Sequence, residues 1–386
     1  MNILVISPTT SIIRQKKGDQ VRIGGLVSQL IKRGHNVTVL EVADSTDKEK
    51  APNFRREVFK KCTPPFLADL NVLFYRKIYR ILSRQNIDLI QISFPTGIIA
   101  TKIVTKLLRV NVPIVYDSHN VEGVKAKQYI DRTLPLHKRL LTPFIIPLQE
   151  RLSSNLVDMI ICTSKVDKES FIKKYNIEPE KIEVIPTGTQ LIDLKKLKER
   201  IEVRKELNIK DEEIVVVFHG TYSYYPNKEA IDLIVDYIAP NVVKINPDIV
   251  FVIAGPGVPK FSERNIRFVG FVEDIHSFLN AADMAIVPIL KGGGTRVKIL
   301  DYMNVGLPVV TTKKGIEGIE VVNWEEAVIV EDFNEFIESL LYLAYDEKER
   351  RRIGKNARRL VKRKYDWKVI GKKLDQLYRR LVPEGN

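Results

Sequence analysis

Cysteine is nearly absent from these 386 residues: there are two, Cys62 and Cys162, with no Cys-x-x-Cys pair and no paired histidine spacing. That excludes a disulfide framework and a structural zinc site, and both cysteines read as small buried hydrophobes. Long apolar runs are missing too. Runs such as those at 2–7 and 214–218 have the length of a strand and fall far short of the roughly 18 residues that a membrane span needs. The chain opens on one of these runs instead of the charged and apolar regions of a signal peptide, so a cytosolic protein is expected. Aromatic residues make up 8%, with only 20 Gly and 19 Pro, while the apolar fraction is 44%. Disordered, collagen-like and low-complexity classes are thereby excluded. Negative charge is in deficit, 48 Asp and Glu against 62 Lys and Arg, for a net charge of +14.

What is present is alternation. Strand-like runs at 2–7, 36–42, 87–93, 113–116, 157–162 and 182–186 are separated by helix-like segments at 24–33, 67–84, 98–109, 136–155 and 165–175. The first of these helices carries Leu26, Val27, Leu30 and Ile31 at helical spacing and stops at Gly34. Residues 189–208 are charged and weakly periodic, as in a linker or a short exposed helix. A second series of strands follows at 214–218, 249–254, 266–269, 284–288, 308–311 and 327–330. The tail 346–381 reads as helical, with 15 basic and 5 acidic residues and a break at Tyr365 and Asp366. The fold class expected is α/β, two Rossmann-like doubly wound domains facing each other across a cleft. Their bounds are 1–193 and 194–364, with a last helix in 365–386 crossing back to the N-terminal domain.

A dinucleotide site needs G-x-G-x-x-G directly after the first strand. Here that strand is followed by Ser7-Pro8-Thr9-Thr10-Ser11, so a nicotinamide cofactor is not expected. Gly24 and Gly25, read as the mouth of the first helix, either present N–H groups and a positive dipole end to a ligand or allow close helix-to-sheet contact. Lys291-Gly292-Gly293-Gly294-Thr295-Arg296-Val297-Lys298-Ile299-Leu300-Asp301 carries the most chemistry. Three glycines ahead of a helix can curl into an anion-binding nest, and Thr295 can cap. Lys298 and Asp301, three apart, share a helix face. A cation one turn from a carboxylate suits a nucleoside diphosphate whose ribose hydroxyls need an acceptor; the bland alternative is a flexible loop before a solvated ion pair. The Walker pattern G-x-x-x-x-G-K-[ST] is absent.

The stretch 292–312 (GGGTRVKILDYMNVGLPVVTT), with the helix ending Lys32-Arg33-Gly34-His35-Asn36-Val37, resembles glycosyltransferase family 4. Supporting fragments are Val184-Ile185-Pro186-Thr187-Gly188, Phe218-His219-Gly220, residues 251–257 and Val269-Gly270-Phe271-Val272, in the family's order over essentially the whole chain. The resemblance implies the two-domain GT-B fold, with the acceptor bound by the N-terminal domain and the donor mainly by the C-terminal one, and retaining transfer of a sugar from a nucleotide-diphosphate donor to a glycan or lipid-linked acceptor. It implies that His119, in Asp117-Ser118-His119, lies next to the donor sugar and donates a hydrogen bond to a hydroxyl. Two departures stand out: at the family's Glu-x7-Glu positions this chain has Gly293 and Asp301, and the loop 220–228 lacks the usual Arg and Lys. The diphosphate then falls to Lys298, helped by Arg296. The donor-binding set implied is Gly25, Gly220, Asn227, Gly292, Gly293, Gly294, Thr295, Arg296, Lys298, Asp301 and Glu317, with His119, Lys298 and Asp301 catalytic. Tyr222, Tyr224 and Tyr225 either stack on the donor or cover their loop, and Gly315 and Gly318 could let backbone approach the sugar. No metal is expected, since no Asp-x-Asp cluster is present, and no cofactor beyond the nucleotide sugar as substrate. A nucleotide-sugar epimerase or a non-catalytic binder of the same fold are the alternatives.

Residues 54–84 hold 8 basic and 2 acidic residues and 125–151 hold 6 and 2, mixed with apolar and aromatic side chains. Such stretches can lie on an anionic leaflet, which makes a lipid-linked acceptor and a peripheral position on the inner face of a membrane an expectation; a solvated helix face is the alternative. Nucleic acid is not expected as a partner, because no recognisable module or aromatic ladder accompanies the cations.

Overall fold

A computed structural model describes residues 1–12, 18–43, 50–60, 65–128 and 136–382; Cys62 lies outside them. The chain divides into two units, Met1–Gly188 with Trp367–Asn386, and Thr189–Asp366.

The first unit is built on strands β1 (Asn2–Ser7), β2 (Asn36–Val42), β3 (Lys50–Ala51), β4 (Phe54–Phe59), β5 (Leu89–Ser93), β6 (Ile114–Ser118), β7 (Met159–Cys162) and β8 (Ile182–Val184). Their order is β3-β4-β2-β1-β5-β6-β7-β8, parallel except for the antiparallel β3–β4 pair. Ile3 to Ile6 are wholly buried, as expected of a strand covered on both faces. Leu4 and Ile6 meet Phe74, Val104 and Phe171 on one side; Ile3 and Val5 meet Leu26, Leu30, Leu374 and Leu377 on the other. The second side is thus covered by helices Gly18–Lys32 and Trp367–Leu381, the C-terminal segment closing the first unit's core.

Three expectations are corrected here. The first helix begins at Gly18, so Gly24 and Gly25 lie mid-helix and their N–H groups are not at a helix mouth. Its opening turn looked like loop because it is polar, but Arg22 is buried against Asp117, with an Nε–Oδ1 hydrogen bond of 2.8 Å. Residues 54–59 are a sheet strand and not part of a basic amphipathic surface: Arg56 is buried and pairs with Glu41 at 2.6 Å, and Glu41 also accepts from the Ile12 N–H, tying down the loop after β1. Of the linker or short exposed helix expected, the structure has a short helix, Arg200–Glu206, but one packed into the second unit, where buried Arg204 pairs with Asp283 at 2.7 Å and donates to the Ala281 carbonyl.

The second unit carries β9 (Ile214–His219), β10 (Ile249–Ala254), β11 (Lys260–Glu263), β12 (Ile266–Gly270), β13 (Met284–Val287), β14 (Val309–Thr312) and β15 (Val328–Val330), in the order β11-β12-β10-β9-β13-β14-β15. All pair in parallel but the β11–β12 hairpin. Central β9 and β13 therefore end side by side, each feeding a loop and a helix at the carboxyl edge, where doubly wound sheets bind ligands. The tail is broken where expected: Asp366 is extended between the helical residues up to Tyr365 and the helix Trp367–Leu381.

Candidate functional site

Beyond β9, Gly220 hands the chain to a tight loop held by its N–H on the Ala254 carbonyl, 2.9 Å away. Pro226 sits in the first turn of helix Tyr225–Leu233, and buried Asn227 anchors the loop by donating to the Thr221 carbonyl at 2.8 Å. Its Oδ1 accepts from Lys298 Nζ at 2.7 Å. Lys298 lies in the first turn of helix Val297–Val305 and also stands 4.2 Å from the centre of the Phe218 ring. Gly220 is a requirement of this packing: a Cβ there would fall 2.6 Å from the ammonium. Desolvation, then the neighbouring Arg296, pull the Lys298 pKa down to about 7, against the attraction of Asp301.

Gly292 and Gly294 adopt φ of +113° and +74°, a backbone that only glycine takes without strain, and this curls the loop ahead of Lys298. Buried Arg296 turns back to donate to the carbonyls of Gly293 and Gly294, so its guanidinium braces the loop. Arg296 also takes the N-cap position expected of Thr295. Thr295 cannot reach it because it packs against Gly318, and its Oγ1 is buried with no hydrogen-bond partner. Glu317 pairs with Lys314 three residues before it. Thr311 and Thr312 leave no room for a Cβ at Gly315. Tyr224 and Tyr225 are exposed, Lys291 lying over the Tyr225 ring at 5.7 Å, while Tyr222 packs on the core.

Asp301 sits between two imidazoles that sequence reasoning had not assigned. His219 Nε2 and His276 Nε2 are each 3.9 Å from its carboxylate, and neither has a hydrogen-bond partner. Burial raises the Asp301 pKa and drives that of His219 down to about 3, with Lys298 adding to the effect. His219 is fixed by its N–H on the Tyr302 hydroxyl, 2.8 Å away. The cluster thus brings the Lys298 amine, the Asp301 carboxyl group and two imidazoles together in a buried place, where charge is disfavoured until a ligand supplies complements. His219 ends β9 and His276 lies in the first turn of helix Ile275–Asn280, and only the fold brings them to Asp301.

In the first unit His119 follows β6, buried, its ring 4.6 Å from that of Phe94, a residue held at φ +75°. Its Nε2 meets Asp117 Oδ2 at 3.2 Å. Asp117 also accepts from Arg22, Gln91 and Ser93, and Tyr378 donates to Gln91 at 2.6 Å. Burial alone would raise the Asp117 pKa, but Arg22 and His119 hold it at about 2. A carboxylate only accepts, so Nε2 carries the hydrogen and Nδ1, which has no partner, offers a lone pair. Donation from His119 was expected; Nδ1 donates when the ring carries both hydrogens and accepts when it carries one. Gly25 has another use: a Cβ there would fall 2.2 Å from the Trp367 ring, so it permits the contact between the first and last helices of its unit. Cys162 is buried and its thiol pushed up to about 12, an inert hydrophobe.

Residues 18–191 match the family Glycosyltransferase Family 4, and residues 213–346 match Glycosyl transferases group 1. A curated relative from Escherichia coli, UDP-Gal:alpha-D-GlcNAc-diphosphoundecaprenol alpha-1,3-galactosyltransferase, is 27% identical over 304 residues, 74% of this chain and 73% of that one. Sucrose-phosphate synthase from Thermosynechococcus elongatus has a TM-score of 0.77 at 19% identity, covering 100% of both chains. HepE from Anabaena in complex with UDP-glucose gives 0.71 at 16%, over 98% of this chain and 99% of that one.

Proposed function

Since this chain belongs to the glycosyltransferases, a Family 4 domain followed by a group 1 domain in the GT-B fold, we propose that it moves a sugar from a nucleoside diphosphate to a lipid-linked acceptor, with retention and without a metal. The E. coli relative, whose name gives a UDP-sugar donor and a diphosphoundecaprenol acceptor, supports that substrate class. The observation that carries the reading is Lys298, an ammonium at the base of a glycine nest and the start of a nine-residue helix, hydrogen-bonded to a neutral amide. A departing diphosphate would gain the Lys298 charge, the positive helix end and the loop N–H groups together, which is the work a metal would otherwise do. Asp301 accepts from the ribose hydroxyls. On the acceptor-binding unit, His119 Nδ1 accepts from a hydroxyl of the donor sugar and steadies charge at the anomeric centre. Exclusion of water matters, because water is the competing acceptor.

Calorimetry with a panel of UDP, GDP and ADP sugars tests this. One of them binds wild type, and Lys298→Gln weakens it by about tenfold or more, the loss of one charged hydrogen bond. Undiminished affinity would remove Lys298 from the site. Transfer that persists in EDTA, and a product with the donor's anomeric configuration by NMR, are the expected outcomes for the other two claims.

A further inference from the structure

Helix Leu136–Leu156 shows solvent an apolar stripe: Phe144, Leu148, Leu152 and Leu156 recur every four residues and all are exposed, Phe144 to 78%. It packs on helix Ile98–Leu108, which packs in turn on helix Val72–Leu82, so the three form a row on one side of the first unit's sheet. The other two helices expose apolar side chains as well, Ile103 and Leu107 on one and Val72 and Leu73 on the other, with Leu107 71% and Val72 76% exposed. Soluble surfaces carry single exposed apolar residues; eight of them on three adjacent helices call for a cover.

Charge identifies the cover. Arg76 and Arg80, Lys106 and Arg109, and Arg151 are exposed on or beside the same helices. The three helices contain one carboxylate between them, Glu150, and it is buried, accepting from Tyr116, Tyr175 and two backbone N–H groups. A nucleic acid would use the cations but leave the phenylalanine and leucines in water. A leaflet of anionic lipid uses both, cations at the headgroups and apolar side chains at the acyl boundary. No helix among the described residues is long and apolar enough to cross a membrane, so the surface lies on a bilayer and does not span it.

We propose that the row of helices Val72–Leu82, Ile98–Leu108 and Leu136–Leu156 docks this protein on an anionic membrane surface. The proposal deepens the lipid-linked acceptor reading, since it sets the acceptor-binding unit on the leaflet that holds the acceptor.

The test is co-sedimentation with vesicles of phosphatidylcholine and phosphatidylglycerol in equal parts, against phosphatidylcholine alone, without any sugar donor. Wild type should pellet with the anionic vesicles only, and less at high salt. Phe144→Ser with Leu148→Ser, and separately Lys106→Glu with Arg109→Glu, should each weaken partitioning by about tenfold or more. These side chains are exposed, and circular dichroism confirms that the variants fold. Wild type left in the supernatant overturns the proposal. So does an apolar variant that binds like wild type, or equally tight binding to a single-stranded oligonucleotide that survives Phe144→Ser with Leu148→Ser. Nucleotide-sugar affinity in solution should not change in either variant, so a failure here is distinct from a failure of the donor site.

Discussion

Lys298 works at a position where its charge is costly, and that gives the donor site a pH dependence of definite sign. With a pKa near 7 in the empty protein, the side chain loses its proton as pH rises through neutrality. Bound diphosphate favours the ammonium and restores a higher pKa, so binding above pH 7 takes up a proton. Of the groups that face it, Arg296 stays charged, burial drives the His219 pKa down to about 3, and burial raises that of Asp301. A nucleotide sugar has no diphosphate proton of its own in this range. Its affinity should therefore be highest below pH 7 and fall toward pH 9 by up to about tenfold per unit, and in Lys298→Gln the profile should be flat. Asp117 gives the opposite case. Its folded pKa near 2 lies below the unfolded value of about 3.9, so its stabilisation is complete above pH 4 and lost as pH falls toward 2, on the order of 2 kcal/mol. Asp117→Asn should erase that acid limb in urea titrations. At pH 7 it should cost about 3–5 kcal/mol by leaving Arg22 buried without its partner. His119→Ala should slow transfer while largely keeping donor binding, and normal turnover would end the role given to His119. The Lys298–Asp301 pair was legible because three-residue spacing on a helix is a local fact. Arg22, Asp117 and Tyr378 were not, since their meeting depends on three segments far apart in sequence.

At the scale of elements, the contact between helices Gly18–Lys32 and Trp367–Leu381 rests on one missing methyl group. Ala at position 25 would place its Cβ 2.2 Å from the Trp367 ring, and the ring cannot yield without pushing its helix off the sheet. Gly25→Ala should lower stability by roughly 1–3 kcal/mol, as overpacking does, and shift the fluorescence of Trp367. Gly34→Ala is the control: nothing lies within 4 Å of its Cβ, so its cost is the strain of φ +82° alone, about 1 kcal/mol. Equal losses for the two would contradict the packing account. The same pair shows what a linear reading captures. Gly34 was legible as a helix stop because its role is local, whereas Gly25 was read as a ligand position because its partner is some 340 residues away. Buried strands such as Ile249–Ala254 were legible as unbroken apolar runs. Phe54–Phe59 was not, because Arg55, Arg56 and Glu57 hide it, and ion pairing makes such residues tolerable in a sheet.

At the scale of the molecule, the two units differ in how the chain builds them. Thr189–Asp366 is one uninterrupted stretch with its own core, and its ends meet: the Thr189 N–H donates to the Tyr365 carbonyl at 2.9 Å, and Thr189 pairs with Asp366. The other unit is discontinuous and takes Trp367, Ile370, Leu374 and Leu377 from the far end of the chain. Removing that helix would bare Ile23, Leu26 and Leu30 and strip Gln91 of the Tyr378 hydroxyl. A fragment 189–366 should therefore melt cooperatively and keep a nucleotide-sugar affinity that Lys298→Gln weakens, while catalysing no transfer. Residues 1–188 alone should aggregate. The same residues joined to 367–386 by a short Gly/Ser linker should fold, because the excised stretch begins and ends at paired residues and the gap to bridge is small. Circular dichroism melts of the three fragments decide it: a cooperative transition for 1–188 alone would show that the last helix is an accessory to that core and not part of it.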